Sequence, residues 1–210
     1  MTLVSNEDHA RISQAIHDAE SGTSGEIFAV LARRSDDYFF VAGFVIFCGI
    51  LLAAIVVALA AHWYWFDISL PVFGLAMLAA FVSAALVLWF FPSLRLALVP
   101  RRIRYHRAHL NALQQFMARN VHVTTERTGI LLFVSLAEHY AEVVADSGIN
   151  AKVEQRDWNH IVSLLIDHAA QDRLADGFVA AIEQSGQLLT EHFPVQPDDI
   201  NELENRLVEL

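Results

Sequence analysis

The chain alternates between stretches of clear polar–apolar periodicity and two stretches with none. Residues 5–20 repeat apolar positions at helical spacing: Ile12, Ala15, Ile16 and Ala19 form one stripe, Ser5 is placed to cap, and Asp8 follows three residues on. Ser21-Gly22-Thr23-Ser24-Gly25 breaks that helix. The next run, Glu26–Ala32 (EIFAVLA), has the length and β-prone content of a buried strand. Then come Phe39–Ala61 and Ile68–Phe91, in which apolar residues occupy every side, separated only by His62–Asp67. About 20 apolar residues suffice to cross ~30 Å of hydrocarbon, so each run predicts a membrane-spanning helix and the pair predicts a hairpin. A core helix of a water-soluble protein keeps a charged face. Here Asp67 is the sole formal charge from Phe39 to Leu94.

Periodicity returns after Pro100. Arg101–Arg119 reads as a helix with Ile103, Leu110, Leu113, Phe116 and Met117 on its apolar side. Val121–Val123 reads as a short strand. Gly129–Leu136 (GILLFVSL) is a continuous apolar run, the pattern of a central strand covered on both faces. Tyr140–Ala145 alternates with period two, as a less buried strand does, and Ala137-Glu138-His139 joins the two as a hairpin. Helices follow over Asp157–Ala170 and Asp172–Leu189, each opening at an aspartate that can cap it. A terminal helix from Asp198 presents Ile200, Leu203 and Leu207.

A single strand does not fold alone, so Glu26–Ala32 is expected in one sheet with Gly129–Ala145. The expected fold class is α/β: an α+β-like sandwich with a small mixed sheet, helices on both faces, and a transmembrane helical hairpin interrupting it. The chain then divides into residues 1–37 (first part of the sandwich), 38–92 (hairpin), 93–119 (a basic juxtamembrane helix) and 120–210 (the remainder).

Charge refines the picture. Arg33 and Arg34 precede the first apolar run, while Arg95, Arg101, Arg102, Arg104 and Arg107 follow the second, and the connecting loop has no Lys or Arg. The positive-inside rule places both flanks in the cytoplasm, giving a two-pass integral protein of the cell or inner membrane with both termini cytoplasmic. The five arginines after the second run are the expected membrane-surface residues, facing anionic headgroups; ordinary topogenic charge explains them equally well. Met1–Ala10 is polar and has no signal-peptide pattern.

The chain carries a net charge of −10, and from Glu126 onward sixteen acidic residues face five basic ones. That balance repels phosphates and disfavours a nucleic-acid partner. The single cysteine, Cys48, lies inside the first apolar run and offers neither a disulfide nor a zinc site.

Candidate chemistry is sparse. Glu138, Glu142 and Asp146 recur every four residues, and an even spacing puts Glu142 and Asp146 on one strand face. With Asp157 they are candidate ligands for Ca2+ or Mg2+, both of which take oxygen donors. A solvated outer strand face is the alternative. The 10 histidines include His106 with His109 and His160 with His168, but no HExxH pair and no cysteine partner accompanies them. Ser135 sits in no GxSxG elbow, and neither a phosphate-binding loop nor a dinucleotide fingerprint occurs, so no other cofactor is expected.

Several segments together resemble a known family. They are the amphipathic helix ending Ala19-Glu20, then Thr23-Ser24-Gly25-Glu26-Ile27, then Arg127–Glu138 (RTGILLFVSLAE) and Glu142–Gly148. These are similar to the TPM domain family over roughly residues 5–37 and 112–190. The resemblance implies a compact α/β sandwich with helices on both faces. It also implies links to acid-phosphatase activity, divalent-cation binding, and accessory roles in assembling or repairing membrane complexes, often outside the cytoplasm.

The chain departs from the family pattern at two places. Asp146-Ser147-Gly148-Ile149-Asn150 stands where Gly-x-Gly-Leu-Glu is common, so Asn150 replaces an acid, and Thr128 stands where an Asp or Asn often precedes the glycine. Asp157 matches a family aspartate that opens the next helix. The resulting expectation is a membrane-anchored, non-catalytic accessory or interaction module at the cytoplasmic face, engaging another membrane or envelope protein. A weak divalent-cation-dependent phosphatase is the alternative, and homo-oligomerisation through the hairpin stays open.

Overall fold

The computed structural model describes residues 3–124, 127–195 and 201–210. The chain forms two compact units: Met1–Ser35 with Tyr105–Leu210, and Asp36–Arg104.

The first unit is a mixed α/β fold. Its elements begin with helix α1 (Asn6–Glu20) and strand β1 (Glu26–Ala32). Helix α5 (Arg101–Ala118) enters this unit at Tyr105 and is followed by a 3-10 turn at Val121–Val123. Then come β2 (Gly129–Ser135), β3 (Tyr140–Ala145), a short α6 (Ser147–Asn150), α7 (Gln155–Ala169), α8 (Leu174–His192) and β4 (Leu207–Glu209). The sheet order is β3-β2-β1-β4; β1 runs parallel to β2 and β4, and β2 runs antiparallel to β3. Both central strands are buried at every position, which is why they read as unbroken apolar runs.

Strand alternation separates two cores. Ile27, Ala29, Leu31, Ile130, Leu132 and Val134 pack with Ile12 and Ile16 of α1, Trp158, Ile161 and Leu165 of α7, and Phe178 and Ile182 of α8. The intervening Phe28, Val30, Leu131 and Phe133 pack on the opposite face against Ala112 and Phe116 of α5 and Val121 of the turn. Two glycines permit this closeness. A Cβ on Gly129 would lie 2.1 Å from the carbonyl oxygen of Val121, and one on Gly186 of α8 would lie 2.7 Å from Cβ of Ala19 on α1. Ser5 caps α1 as its sequence suggests, accepting from the Asp8 N–H at 3.1 Å.

Four local expectations are corrected. Residues 201–210 contain no helix. Instead Leu207–Glu209 forms β4 on the edge of β1, with the Leu210 N–H donating to Leu31 O and the Arg33 N–H donating to Leu210 O, both at 2.9 Å. The helical spacing of Leu203 and Leu207 loses to the open edge of β1, whose backbone groups need partners. The start of that expected helix, Asp198–Ile200, lies outside the described residues. Val121–Val123 is a 3-10 turn, not a strand, because Asn120 enters it in the left-handed conformation (φ 58°). Helix α7 has Glu154 at its N-cap position, with no side-chain capping bond, and Asp157 in its first turn. Helix α8 opens at Leu174, because Asp172 is itself left-handed (φ 56°).

The second unit holds α2 (Phe39–Trp63), α3 (Leu70–Phe90) and α4 (Pro92–Leu98). Helices α2 and α3 are long and apolar enough to cross a membrane. Phe39 meets Trp89 at 6.4 Å and Phe47 stacks on Phe81 at 5.3 Å, the crossed order of an antiparallel hairpin. Most of their large side chains are exposed; only Tyr38, Ala42, Leu88 and Val99 form a buried cluster at the base.

Candidate functional site

The three candidate carboxylates are dispersed. Glu142 lies on the β3 face that carries Tyr140 and Val144, both of which pack in the α5 core. There His109 Nδ1 of α5 stands 2.9 Å from both Glu142 oxygens, and the Tyr140 hydroxyl donates to Glu142 Oε2 at 2.9 Å. A carboxylate only accepts, so His109 carries its proton on Nδ1. Burial, reinforced by the Glu142 charge, pushes the Tyr140 hydroxyl above its ordinary range, so it remains a donor. The ring of Tyr105 closes the group at 5.2 Å from Tyr140.

Asp146 belongs to neither strand face, because β3 ends at Ala145 and Asp146 becomes the cap of α6. Its Oδ1 accepts from the Ser147 N–H and from Ser147 Oγ, while the other oxygen is buried without a partner among the described residues. Asp157 sits on α7, which packs on the opposite side of the sheet from the Glu142 side chain, and pairs with exposed Arg156 at 3.7 Å. Among the described residues no group of three or more His, Cys, Asp or Glu is placed to hold a metal ion. Glu142, Asp146 and Asp157 are therefore not gathered into one group: equal parity along a strand counts only while the strand lasts.

The five arginines divide as well. Arg95 on α4 is buried, not at a surface. Its Nε donates to Leu88 O at 2.7 Å and Nη2 to Trp89 O at 3.1 Å, while Nη1 pairs with Asp37 and the guanidinium covers the Phe39 ring at 5.1 Å. It caps the open carbonyls at the end of α3 and ties them to the residue pair before α2. Arg101, Arg102 and Arg107 are exposed, and Arg104 is half-buried. The exposed arginines of the five are all on α5.

Three polar arrangements went unread in the sequence. At the C-terminal ends of β1 and β2, Ser135 donates to buried Glu138, Ser35 Oγ lies 2.8 Å from Ser135 Oγ, and the Ser35 N–H donates to Glu138 Oε1 at 3.0 Å. This clasp holds the last residue of the first unit before the chain enters the second. At the other end of β1, Glu20 accepts from the Ile27 N–H at 2.9 Å beside buried Glu26, which accepts from the Glu202 N–H at 2.9 Å. Burial first, then the Glu26 charge, push the Glu20 carboxyl up to about 8 against the opposing bond from Ile27. Lastly, Glu209 of β4 accepts from the N–H groups of Leu3 and Val4 at 2.8 and 3.0 Å and lies 2.9 Å from His9 Nε2. No spacing signal announces any of these, since each joins residues distant in sequence or set by a turn.

The outer edge of β3 borders an open groove of about 480 Å³. Its walls include His109 and Leu113 of α5 and Gln155, Trp158, Asn159 and Val162 of α7.

No protein-family model matches the chain, and no curated protein matches it. A solved structure does: the NMR structure of the BA42 protein from the psychrophilic bacterium Bizionia argentinensis, at 20% identity and a TM-score of 0.62, covering 100% of this chain and 97% of that one. Likeness at this identity establishes a shared fold.

Proposed function

We propose that the chain is a membrane-anchored, TPM-like α/β module that acts without catalysis as an accessory or interaction partner at the cytoplasmic face of a membrane. One observation carries the reading: two apolar helices, exposed along nearly their whole length, leave and re-enter a single α/β unit between β1 and α5. Such surfaces are stable in hydrocarbon and aggregate in water. Orientation rests on the arginines: Arg33 and Arg34 on one flank and exposed Arg101, Arg102 and Arg107 on the other favour a cytoplasmic base with anionic headgroups around it. The acidic α/β unit then faces a membrane or envelope protein. Dispersal of Glu142, Asp146 and Asp157 leaves the phosphatase alternative without a gathered site.

Topology is tested with a reporter fused after Leu210. Activity confined to the cytoplasmic side is expected, and activity confined to the opposite side ends the orientation argument. Photo-crosslinking from the α/β unit in intact membranes is expected to trap a discrete partner. Steady phosphate-ester turnover that rises with added Mg2+, Ca2+ or Mn2+ would replace the interaction reading with the enzymatic one.

A further inference from the structure

Resting on the reading of the α/β unit as an interaction module, we propose that the free edge of β3 takes up an extended, lysine- or arginine-bearing segment of a partner protein as an added strand. The sheet order leaves β3 outermost on one side, whereas β4 covers the β1 edge on the other. The register fixes which backbone groups are free. The Asp146 N–H donates to Gly129 O at 3.0 Å, so the even-numbered residues of β3 bond β2, and Ala141, Val143 and Ala145 turn their N–H and C=O groups outward. Asn150 Nδ2 takes Ala145 O at 2.8 Å. Among the described residues, the outward groups of Ala141 and Val143 meet no donor or acceptor.

Proteins usually blunt such an edge with proline, lysine or a bulge. The segment Tyr140–Ala145 (YAEVVA) has no proline or lysine, and its pairing with β2 is unbroken. The groove beside it supplies walls for alternate side chains of an added strand. Trp158, only 4% exposed, lines that groove, and its indole N–H is buried without an acceptor among the described residues.

Charge selects the occupant. Glu142 is the one acidic side chain in the groove lining, and the chain as a whole carries a net charge of −10. A basic extended segment complements this; a second copy of the chain does not. Symmetric pairing of two β3 strands about Val143 would also need Ala145 O of each copy, which Asn150 already holds.

The test uses the full chain in detergent micelles and a fluorescent acetyl-Lys-Val-Lys-Val-Lys-Val-amide, followed by anisotropy. Val143→Pro removes an outward N–H while leaving the β2 ladder intact, and is expected to weaken binding about tenfold in the folded protein, with a small fall in Tm from the Val143 packing it loses. Asn150→Ala, which frees Ala145 O, is expected to tighten it about threefold. Full affinity in a folded Val143→Pro variant, equal binding of the Glu-Val analogue, or a dimer abolished by Val143→Pro overturns the assignment. Should Val143→Pro not fold, amide exchange in the natural chain decides: the peptide is expected to protect Ala141 and Val143, and no protection overturns it. Photoreactive side chains at positions 17 and 159 separate the two readings. Capture of no protein at either position in intact membranes removes the interaction module itself, whereas capture at 17 with none of the peptide effects removes only the β3 site.

Discussion

The strands β1 and β2 and the helices α2 and α3 are equally apolar in sequence, yet their surroundings are opposite. Every residue of Glu26–Ala32 and Gly129–Ser135 is buried, while Phe40, Leu52 and Leu70 on the helices are 88%, 64% and 83% exposed. Length makes the difference. Seven residues of strand reach across one small sheet and are covered by neighbours on both faces; helices of 25 and 21 residues outrun anything the chain offers to cover them. Apolarity alone thus does not say what covers a segment; its length decides whether the chain itself can.

The comparison breaks most sharply at matched leucines. Leu132→Ala, in the core between β2 and the helices, is expected to cost about 3 kcal/mol through lost burial and a cavity. Leu52→Ala, on the outer side of α2, is expected to change the stability of the α/β unit by less than about 0.5 kcal/mol. Thermal melts of the full chain in micelles check both, and equal losses would dissolve the distinction.

Next in size is Arg95→Ala, which removes the donors to Leu88 O and Trp89 O and the pairing with Asp37 at the hairpin base. It is expected to cost about 2 kcal/mol of hairpin stability in detergent unfolding, and Arg95→Lys recovers only part because an ammonium lacks the forked donors that reach three acceptors at once.

Acidity distinguishes the two ends of β1. Glu20 holds its proton more tightly folded than unfolded, so the folded state binds the extra proton between the ordinary carboxyl range and about 8, and its contribution to stability falls as pH rises through that window. Glu20→Gln keeps a neutral group and is expected to raise Tm at pH 8 by a few degrees, equivalent to about 1 kcal/mol, and to flatten the pH dependence. An unchanged slope would remove Glu20 as its source.

Glu209 has the opposite sign. Burial alone would raise it, but the N–H groups of Leu3 and Val4 and the neighbouring His9 together hold it below the usual range. Its contribution is therefore present above the ordinary carboxyl value and lost as pH falls through the lowered one. Glu209→Gln is expected to cost about 1 kcal/mol at neutral pH and less in acid, read from melts at both.

Element type was legible wherever a period was sustained. Ile12 and Ile16 on α1, the run from Gly129, and the alternation in Tyr140–Ala145 each announced their place. Failures clustered at boundaries. Local spacing makes Asp146 a strand residue where it caps a helix, Arg95 a surface cation where it caps another, and Leu207 helical where it lies in a strand. In each case a backbone group left open by a distant element decided the outcome, and local spacing carries no record of it.

By itself the sequence determined the presence of two membrane-length helices, the joining of the flanking strands into one sheet, and the distribution of charge along the chain. These follow from composition and period, which are properties of segments. Only the tertiary structure decided that three carboxylates stay apart, that Glu20 and Glu26 lie close, that β4 covers the edge of β1, and that nothing covers the edge of β3 among the described residues. Those outcomes depend on which backbone and side-chain groups meet once the chain has folded, and hydrogen bonds between residues as distant as Leu3 and Glu209 exist only then.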